Sequence, residues 1–305
     1  MRHITRHGTC ALLALGALAV ILPGAATAVA DDFKRRYVDF AVQGGNHDGT
    51  SWADAYDTLQ EALTEAGVDE IWVAEGTYKP HASDRTVAFD LPDGIEVYGG
   101  FIGTETARNQ RDPVENETIL SGDIDTSGTL DSFHVVTADT RVAALVLDGF
   151  TITKGNADGG TGEVTGGGMF IRNCVNVTIK DCIFVDNFAN LQGGAIRVLL
   201  SLFGAPSGGS DLTIDGCEFN NNETGDYGGA IFYWKQGPTG DHDLTISNSS
   251  FDGNKVTDDN FPGHGGAIVV EGADDTVITN TDFTNNFAVD NGGALALFSK
   301  HLAAG

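Results

Sequence analysis

The stretch LTIDGCEFNNN, residues 212–222, returns three more times in this chain with small changes. The other copies are VTIKDCIFVDN ending at Asn187, LTISNSSFDGN ending at Asn254 and TVITNTDFTNN ending at Asn286. Every copy carries a phenylalanine and, three residues later, an asparagine: Phe184 and Asn187, Phe219 and Asn222, Phe251 and Asn254, Phe283 and Asn286. The phenylalanines are 35, 32 and 32 residues apart, which indicates one structural unit repeated along the chain.

A diglycine followed by an apolar segment comes after each of these copies. The four motifs are Gly193-Gly194-Ala195-Ile196, Gly228-Gly229-Ala230-Ile231, Gly265-Gly266-Ala267-Ile268 and Gly292-Gly293-Ala294-Leu295. A weaker copy of the whole unit comes earlier, with Phe150-Thr151-Ile152-Thr153 and then Gly167-Gly168-Met169-Phe170-Ile171. Matched motifs in a fixed order are typical of a repeat protein.

The composition of the repeats favours short strands over helices. Val, Ile, Thr and Phe dominate the segments between Gly, Asn and Asp residues, and glycine pairs would destabilise a helix. Strands this short cannot bury a face within one repeat, but stacked repeats give each strand a parallel neighbour at about 4.8 Å and form a continuous core. The sequence therefore predicts an all-β fold, a parallel β-helix solenoid with one coil per repeat.

Stacked coils would place equivalent residues above one another along the axis. We expect Phe184, Phe219, Phe251 and Phe283 to form an inward aromatic column. The asparagines are predicted to stand at a turn, where asparagine tolerates the left-handed conformation and its amide can bond to the asparagine of the next coil. The glycine pairs are expected to allow a positive φ at the next corner and a close approach of coils.

Residues 29–80 are predicted to form an N-terminal cap with the first coil, and residues 81–305 the repeats of the same solenoid domain. Thr58-Leu59-Gln60-Glu61 has the pattern of a capping box, and the apolar spacing that follows predicts a short helix over Thr58–Ala66. Such a helix would cover the exposed edge of the first coil. Strands are predicted over Glu70–Ala74, Ile95–Val97, His134–Val136 and Ala144–Leu147.

Residues 1–28 have the features of a secretory signal peptide, with Arg2, Arg6 and an apolar run from Cys10 to Leu22. No second long apolar run follows, so the mature chain is expected to have no membrane span. We therefore expect a secreted or extracellular protein, or one at the surface of the cell outer membrane. The formal net charge of −26 excludes a general nucleic-acid binder, because phosphate contacts need clustered Lys and Arg.

Three cysteines follow the signal peptide: Cys174, Cys182 and Cys217. Cys182 and Cys217 occupy the same position in adjacent copies, two residues before the phenylalanine, where the later copies carry Ser249 and Thr281. A small buried position explains all three residue types, and free stacked thiols are the favoured interpretation. A Cys182–Cys217 disulfide is the alternative, although side chains that point the same way fit its dihedral angle poorly.

The stretches DGTSWADAYDTLQEAL, residues 48–63, and IWVAEGTYKP, residues 71–80, resemble the opening of exported bacterial right-handed parallel β-helix proteins of the pectin-lyase-like superfamily. The alternating GGAI and FxxN motifs are similar to those of the chlamydial-type polymorphic outer-membrane protein repeats. Together the resemblances span Gly44–Phe298. They imply a right-handed coil and a secreted or surface-exposed protein with a role in adhesion.

The pectin-lyase-like superfamily also includes polysaccharide lyases and hydrolases. Its lyases need carboxylates that hold Ca²⁺ beside an Arg or Lys base, and the few basic residues of the repeats match no such motif. Its polygalacturonases carry NTD, DD, GHG and RxK in that order, whereas here Gly263-His264-Gly265 precedes Asn280-Thr281-Asp282 and no RxK follows. No catalytic residue is assigned, and the pairs Asp258-Asp259 and Asp274-Asp275 are interpreted as solvated loop charge.

Calcium is the one cofactor that the residues leave open. Asp123-Ile124-Asp125 and Asp258-Asp259-Asn260 supply the hard oxygen ligands that Ca²⁺ prefers. The chain has no EF-hand loop and no calcium-binding nonapeptide repeat, and the histidines that follow the predicted signal peptide show no metal-ligand spacing.

The sequence favours a non-catalytic, adhesin-like module that binds a surface glycan or a protein. Inserts at Gly204–Ser210, Lys235–Asp243 and Lys255–Gly263 interrupt the repeats, and such inserts often carry recognition in solenoids. The alternative is a carbohydrate-active enzyme that acts on an acidic polysaccharide. The negative charge of the chain opposes that substrate unless Ca²⁺ bridges the two.

Overall fold

Short parallel strands make up most of the chain that the computed structural model describes, residues 33–125, 130–201, 210–236, 242–257 and 263–298. All of these residues lie in one unit, Phe33–Gly305. The predicted signal peptide lies outside the described residues, as do positions 204–209, 237–241 and 258–262 of the three predicted inserts.

The N-terminal elements precede the regular repeats. They are β1 (Arg35–Val38), α1 (Leu59–Thr64), β2 (Glu70–Ala74), β3 (Gly76–Tyr78), β4 (Phe89–Asp90), β5 (Glu96–Phe101), β6 (Thr118–Ser121) and β7 (Val136–Asp139). Single 3-10 turns lie at Trp52–Asp54 and Arg108–Gln110.

Each following repeat contributes up to four strands. The first holds β8 (Leu145–Asp148), β9 (Thr151–Thr153), β10 (Asn156–Ala157) and β11 (Met169–Arg172). The second holds β12 (Val177–Lys180), β13 (Ile183–Val185), β14 (Phe188–Ala189) and β15 (Ile196–Leu200). The third holds β16 (Leu212–Asp215), β17 (Glu218–Asn220), β18 (Glu223–Thr224) and β19 (Ile231–Lys235). The fourth holds β20 (Leu244–Ser247), β21 (Ser250–Asp252), β22 (Lys255–Val256) and β23 (Ile268–Glu271), and the last described repeat holds β24 (Thr276–Thr279), β25 (Asp282–Thr284) and β26 (Leu295–Phe298).

Within the described ranges these strands form four parallel sheets, to which successive repeats add one strand each. Sheet A has the order β1-β2-β5-β8-β12-β16-β20-β24, and sheet B has β3-β6-β9-β13-β17-β21-β25. Sheet C has β4-β7-β11-β15-β19-β23-β26, and sheet D has β10-β14-β18-β22. The prediction of mostly β structure in stacked parallel strands is therefore confirmed, and the arrangement is consistent with a parallel β-helix.

The core lies between the sheets and is continuous along the stack. In sheet A the inward positions repeat as Leu145, Val177, Leu212 and Leu244, which pair strand to strand and are all buried. Alternation of inward and outward side chains along each strand explains why every second residue joins this core. A smaller aromatic cluster of Trp72, Tyr98 and Phe101 lies apart from it.

The predicted helix is present but shorter than expected. Thr58 is the N-cap residue, its hydroxyl oxygen accepts from the Glu61 backbone N–H, and the Glu61 carboxylate accepts from the Thr58 backbone N–H. The helix covers Leu59–Thr64 and ends two residues before the predicted boundary, while Gly67 has a φ of +71°. The helix contacts β1 and β4, which are the first strands of sheets A and C.

Strand Glu70–Ala74 has the predicted bounds, whereas three other predicted strands begin one or two residues later than predicted and end one to four residues later. They lie at Glu96–Phe101, Val136–Asp139 and Leu145–Asp148 rather than at Ile95–Val97, His134–Val136 and Ala144–Leu147. Pairing with a neighbouring coil sets these bounds, because a strand extends as far as its partner offers hydrogen bonds. That register cannot be read from one segment alone.

The early, weaker copy is aligned differently from the prediction. Ile152, and not Phe150, pairs with Phe184, so Phe150 stands at the position of Cys182. Met169 pairs with Ile196, which makes Gly166 and Gly167 the equivalents of Gly193 and Gly194. Gly166 accordingly has the positive φ, +69°.

Candidate functional site

The structure places the four repeated phenylalanines in one column. Neighbouring ring centroids are 5.1, 4.5 and 5.0 Å apart, with interplanar angles below 10°. Three of the rings are fully buried, and Phe283 in the last described coil is partly exposed. These side chains are part of the scaffold, since an interior column offers nothing to a ligand.

The asparagines form a buried hydrogen-bonded ladder beside this column. Nδ2 of Asn187, Asn222 and Asn254 each donates to Oδ1 of the asparagine in the next coil, at 3.0, 3.0 and 2.9 Å. The predicted left-handed turn is wrong for these residues, because the positive φ belongs to the residue before them, such as Asn221 at +55°. The ladder requires each amide to point inward, so the preceding residue makes the turn.

Each glycine of a pair has its own structural role. The first has a positive φ, from +62° to +65°, at Gly193, Gly228, Gly265 and Gly292. The second lies against the next coil, and a Cβ on Gly194 or Gly229 would fall 2.5 or 2.1 Å from a carbonyl oxygen of the following glycine pair. Gly266 has the same relation to Gly293.

The outer face of sheet C carries a groove that no repeat motif predicted. One outward column of that sheet consists of Arg197, Phe232, Val269 and Ala296, and a second of Leu199, Trp234, Glu271 and Phe298. A third column, linked by single bridges, flanks the sheet with Gln192, Tyr227, His264 and Asn291. We call the cleft between the second and the third of these columns the sheet C groove. Its volume is about 430 Å³. It is lined by Gln192, Tyr227, Phe232, Trp234, His264, Glu271, Leu297 and Phe298.

Aromatic rings follow one another along this groove. Tyr227 stacks on Phe232 at 5.7 Å between centroids and stands 5.6 Å from the His264 ring. The His264 ring is in turn 5.4 Å from Phe298 in the next coil. Trp234 lies across the groove from this series, in the same strand as Phe232.

Arg197 lies one coil before these rings and is only 3% exposed. Its guanidinium carbon is 4.4 Å from the Phe232 centroid and 5.3 Å from that of Trp234. Burial lowers the pKa of Arg197 to about 9, against the opposing effect of the Glu271 carboxylate. The guanidinium therefore lies over the Phe232 ring, which Tyr227 also contacts and which is only 3% exposed, and it lies close to Trp234.

Glu271 is the one carboxylate among the described residues that line the sheet C groove. Its side chain makes no hydrogen bond and no ion pair within the described ranges, although it acts electrostatically on Arg197 and Tyr227. Burial raises the pKa of Tyr227, and the carboxylates of Asp226 and Glu271 raise it further. The groove thus combines aromatic rings with several polar groups, and a concave site with convergent polar groups can hold a small ligand.

A second, acidic pocket lies outside sheet B. Its volume is about 450 Å³, and its lining includes Glu117, Asp181 and Glu218 beside Val114 and Ile183. Burial raises the pKa of Asp181, and the nearby carboxylates of Asp148 and Asp215 contribute, against Lys180 and Arg111. The Glu117 carboxylate accepts a hydrogen bond from Thr151 at 2.8 Å.

The candidate motifs for catalysis and calcium are spread over the molecule. His264 flanks sheet C, whereas Asp282 begins β25 of sheet B. Asp274 pairs with the buried Lys235, and Asp258-Asp259-Asn260 lies outside the described residues. In the described part of the chain, no three His, Cys, Asp or Glu side chains are grouped as a metal site requires.

The three described cysteines are free and buried. Cys182 and Cys217 contact carbonyl oxygens of the preceding coil, at 3.6 Å from Leu147 and 3.5 Å from Ile179. Burial raises the pKa of Cys174 and of Cys217. The favoured interpretation of stacked free thiols agrees with this arrangement, and the Cys182–Cys217 disulfide is absent.

No protein-family model, no curated protein and no solved structure matches this chain. Among the described residues, none of the helices has the length and apolar character to cross a membrane.

Proposed function

We propose that this chain is a secreted or cell-surface protein that binds a surface glycan or protein without catalysis. In this proposal the chain is a right-handed parallel β-helix of the pectin-lyase-like type, with repeats like those of polymorphic outer-membrane proteins. One observation supports the fold: strands add to every sheet in parallel. The right hand of the coil is expected because crossovers between parallel strands are almost always right-handed. The contacts of α1 with β1 and β4 support its role as an N-terminal cap.

The observation that carries the binding function is the sheet C groove. The motifs that repeat along the chain are buried in every coil before the last described one, whereas Tyr227, Trp234 and Phe298 line an open cleft on the outer face. Large apolar rings on an outer sheet face stabilise little of the core, and they supply contact area to a ligand. A rigid stack of coils holds them in place before the ligand arrives.

Binding to glycan and protein arrays tests this proposal. The exported protein should bind at least one class of surface ligand, and Trp234→Ala should weaken that binding about tenfold or more. Phe287→Ala is the matched control, because Phe287 is an aromatic residue that is 56% exposed outside the groove. An array without any signal, or a Trp234→Ala variant that binds as wild type does, would contradict the proposal.

Export is tested separately by the mass of the mature protein. Expression in a host with a general secretion pathway should give an external product that begins at residue 29, since residues 1–28 are predicted to be the signal peptide. A product retained inside the cell at full length would contradict the proposed localisation.

A carbohydrate-active enzyme is the second candidate, and the acidic pocket outside sheet B favours it. Glycoside hydrolysis needs two carboxyl groups, one of them with a raised pKa, and Asp181 has that property. Reducing-sugar and unsaturated-product assays with and without Ca²⁺ test it, with Asp181→Asn expected to abolish any turnover. Activity that remains in Asp181→Asn would show that this pocket is not the active site. A requirement for Ca²⁺ stays a prediction, which the assays with and without Ca²⁺ test.

A further inference from the structure

A lysine occupies an interior position of sheet C. Lys235 pairs with Leu200 of the preceding coil, and both side chains are buried. Only 1% of the Lys235 side chain is exposed. Burial of an ammonium group costs free energy that a leucine at the same position does not, so packing alone does not explain this lysine.

The carboxylate that meets this ammonium comes from the next coil. Nζ of Lys235 pairs with Oδ2 of Asp274, 39 residues later in the chain. The same oxygen accepts a hydrogen bond from the His242 backbone N–H at 3.1 Å, and the Asp274 backbone N–H donates to the His242 carbonyl at 2.9 Å. The backbone thus holds the carboxyl group beside the amine, and such positioning makes a reaction between two groups effectively unimolecular.

A tyrosine hydroxyl lies in the same buried surroundings. Tyr233 is two residues before Lys235 in β19 and therefore points to the same side of the sheet. It is fully buried, and its hydroxyl has no hydrogen-bond partner among the described residues. Burial raises the pKa of Tyr233, and the nearby carboxylate of Asp274 raises it further. The hydroxyl therefore keeps its proton and is available as a proton relay.

From this arrangement we propose that Lys235 and Asp274 condense to an amide, an intramolecular isopeptide bond that joins two successive coils. The ammonium first gives one proton to the carboxylate, which removes a pair of opposite charges from the interior. The lone pair of Nζ then attacks Cγ of Asp274, and the His242 backbone N–H stabilises the charge that develops on Oδ2.

The second half of the reaction releases water. Nζ loses a second proton, which reaches Oδ1 of Asp274 through the Tyr233 hydroxyl. The Cγ–Oδ1 bond breaks, and Oδ1 leaves with both protons as one water molecule. The amide keeps one hydrogen on Nζ, carries no charge and consumes no further reactant. The Asp274 side chain is 29% exposed, which gives the water a path to solvent.

A second lysine–carboxylate pair provides an internal comparison. Lys255 and Glu223 also join successive coils, at 2.8 Å between Nζ and Oε2, on strands β22 and β18. Their side chains are 46% and 32% exposed, so water solvates both charges. We expect this pair to stay ionic, because neither charge has to be removed from a buried position.

Mass spectrometry of the whole purified protein tests the proposal. Its mass should be about 18 Da, one water, below the mass calculated from the sequence of the purified chain. Trypsin does not cleave after a lysine whose amine is an amide, so digestion should give segment 198–255 linked to segment 256–300. Cleavage after Lys255 should be normal. A chain of full calculated mass, with separate segments 198–235, 236–255 and 256–300, would overturn the proposal.

Two conservative variants assign the roles. Lys235→Arg keeps the positive charge, but a guanidinium does not attack a carboxyl group, so this variant should have its full calculated mass. Lys255→Arg is the matched control and should still lack about 18 Da. Loss of water that persists in Lys235→Arg would place the bond elsewhere and contradict the proposal.

The role of Tyr233 is tested by the rate at which the linked form appears. In a pulse-labelled expression time course, Tyr233→Phe should form the linked chain about tenfold more slowly than wild type, or slower still. Formation at the wild-type rate would contradict the assigned proton relay. The bond is independent of the proposed binding function, since its mass and its linked peptides are measured without any ligand.

Discussion

At the scale of single residues, the asparagine ladder is the most demanding feature of the interior. Asn222 is fully buried; its Nδ2 donates to Asn254 and to the Phe184 carbonyl, while its Oδ1 accepts from the backbone N–H and the Nδ2 of Asn187. All of its hydrogen-bonding groups therefore have partners. A buried amide whose donors and acceptors all have partners stabilises the fold. Removal of that amide leaves the polar groups around it buried without partners.

Replacement of Asn222 by alanine should therefore be costly. It removes four hydrogen bonds at once and should lower the free energy of unfolding by about 3–5 kcal/mol. Asn190→Ala is the control, because Asn190 is exposed and should change stability by less than about 0.5 kcal/mol. Urea unfolding followed by circular dichroism gives both values. Similar costs for the two variants would contradict the ladder.

The sequence predicted which residues stack, but not how each backbone turns. The spacing of Phe219 and Asn222 from their equivalents was sufficient to place them in columns. The left-handed residue is Asn221 rather than Asn222, because the amide of Asn222 must point inward. Both positions carry asparagine in this copy, and only the copy with Gly253 before Asn254 marks the left-handed position by its residue type.

At the scale of elements, Glu65 joins the end of α1 to β1. Its carboxylate accepts a hydrogen bond from Arg36 at 2.6 Å and one from Tyr56 at 3.0 Å, and it pairs with Lys34 at 2.6 Å. The hydrogen bond from Arg36 is the main cause that lowers the pKa of Glu65 to about 2, and Lys34 and Tyr56 add to it. The helix is therefore attached to the first strand of sheet A through one ionised group.

This attachment predicts a loss of stability in acid. A carboxyl whose pKa is lower in the folded state than in the unfolded state stabilises the fold above its ordinary value, and that contribution is lost as the pH falls. For Glu65 the loss should occur between pH 4.5 and about 2. Thermal unfolding across this window should show a smaller decline for Glu65→Gln than for wild type, whereas Glu115→Gln should decline as wild type does. An unchanged pH profile in Glu65→Gln would contradict the assignment.

The diglycines set how closely neighbouring coils can approach. A Cβ on Gly229 would lie 2.1 Å from the Gly266 carbonyl oxygen, whereas a Cβ on Gly67 meets nothing within 4 Å and suffers only from the positive φ of +71°. Gly67→Ala should therefore lower the free energy of unfolding by about 1 kcal/mol. Gly229→Ala should lower it clearly more, because two coils must separate. Chemical denaturation measures the free energy of unfolding of both variants. Equal losses of stability would show that the coils do not meet at Gly229.

The strands were predicted better than the candidate site, for a physical reason. Repeats reveal positions that are the same in every coil, and such positions belong to the interior. The sheet C groove depends on positions that differ between coils, such as Phe232, Val269 and Ala296 in one outward column. In β19, Phe232 and Tyr233 are both buried, so the burial pattern of that strand does not distinguish its two faces. The partner strands settle which residues face outward.

At the scale of the whole molecule, the account rests on one arrangement: successive repeats stack in register along a single axis. The interior columns, the close approach of the glycine pairs and the three columns of the sheet C groove all follow from that register. The same register sets the distances between the side chains that line the groove, and therefore the size of the ligand that the groove can bind.

A crystal structure of the protein tests this arrangement most directly. It should show Phe184, Phe219, Phe251 and Phe283 in one column with neighbouring ring centroids 4.5 to 5.1 Å apart. Rings that lie in separate parts of the molecule, beyond the roughly 7 Å limit of aromatic contact, would contradict it.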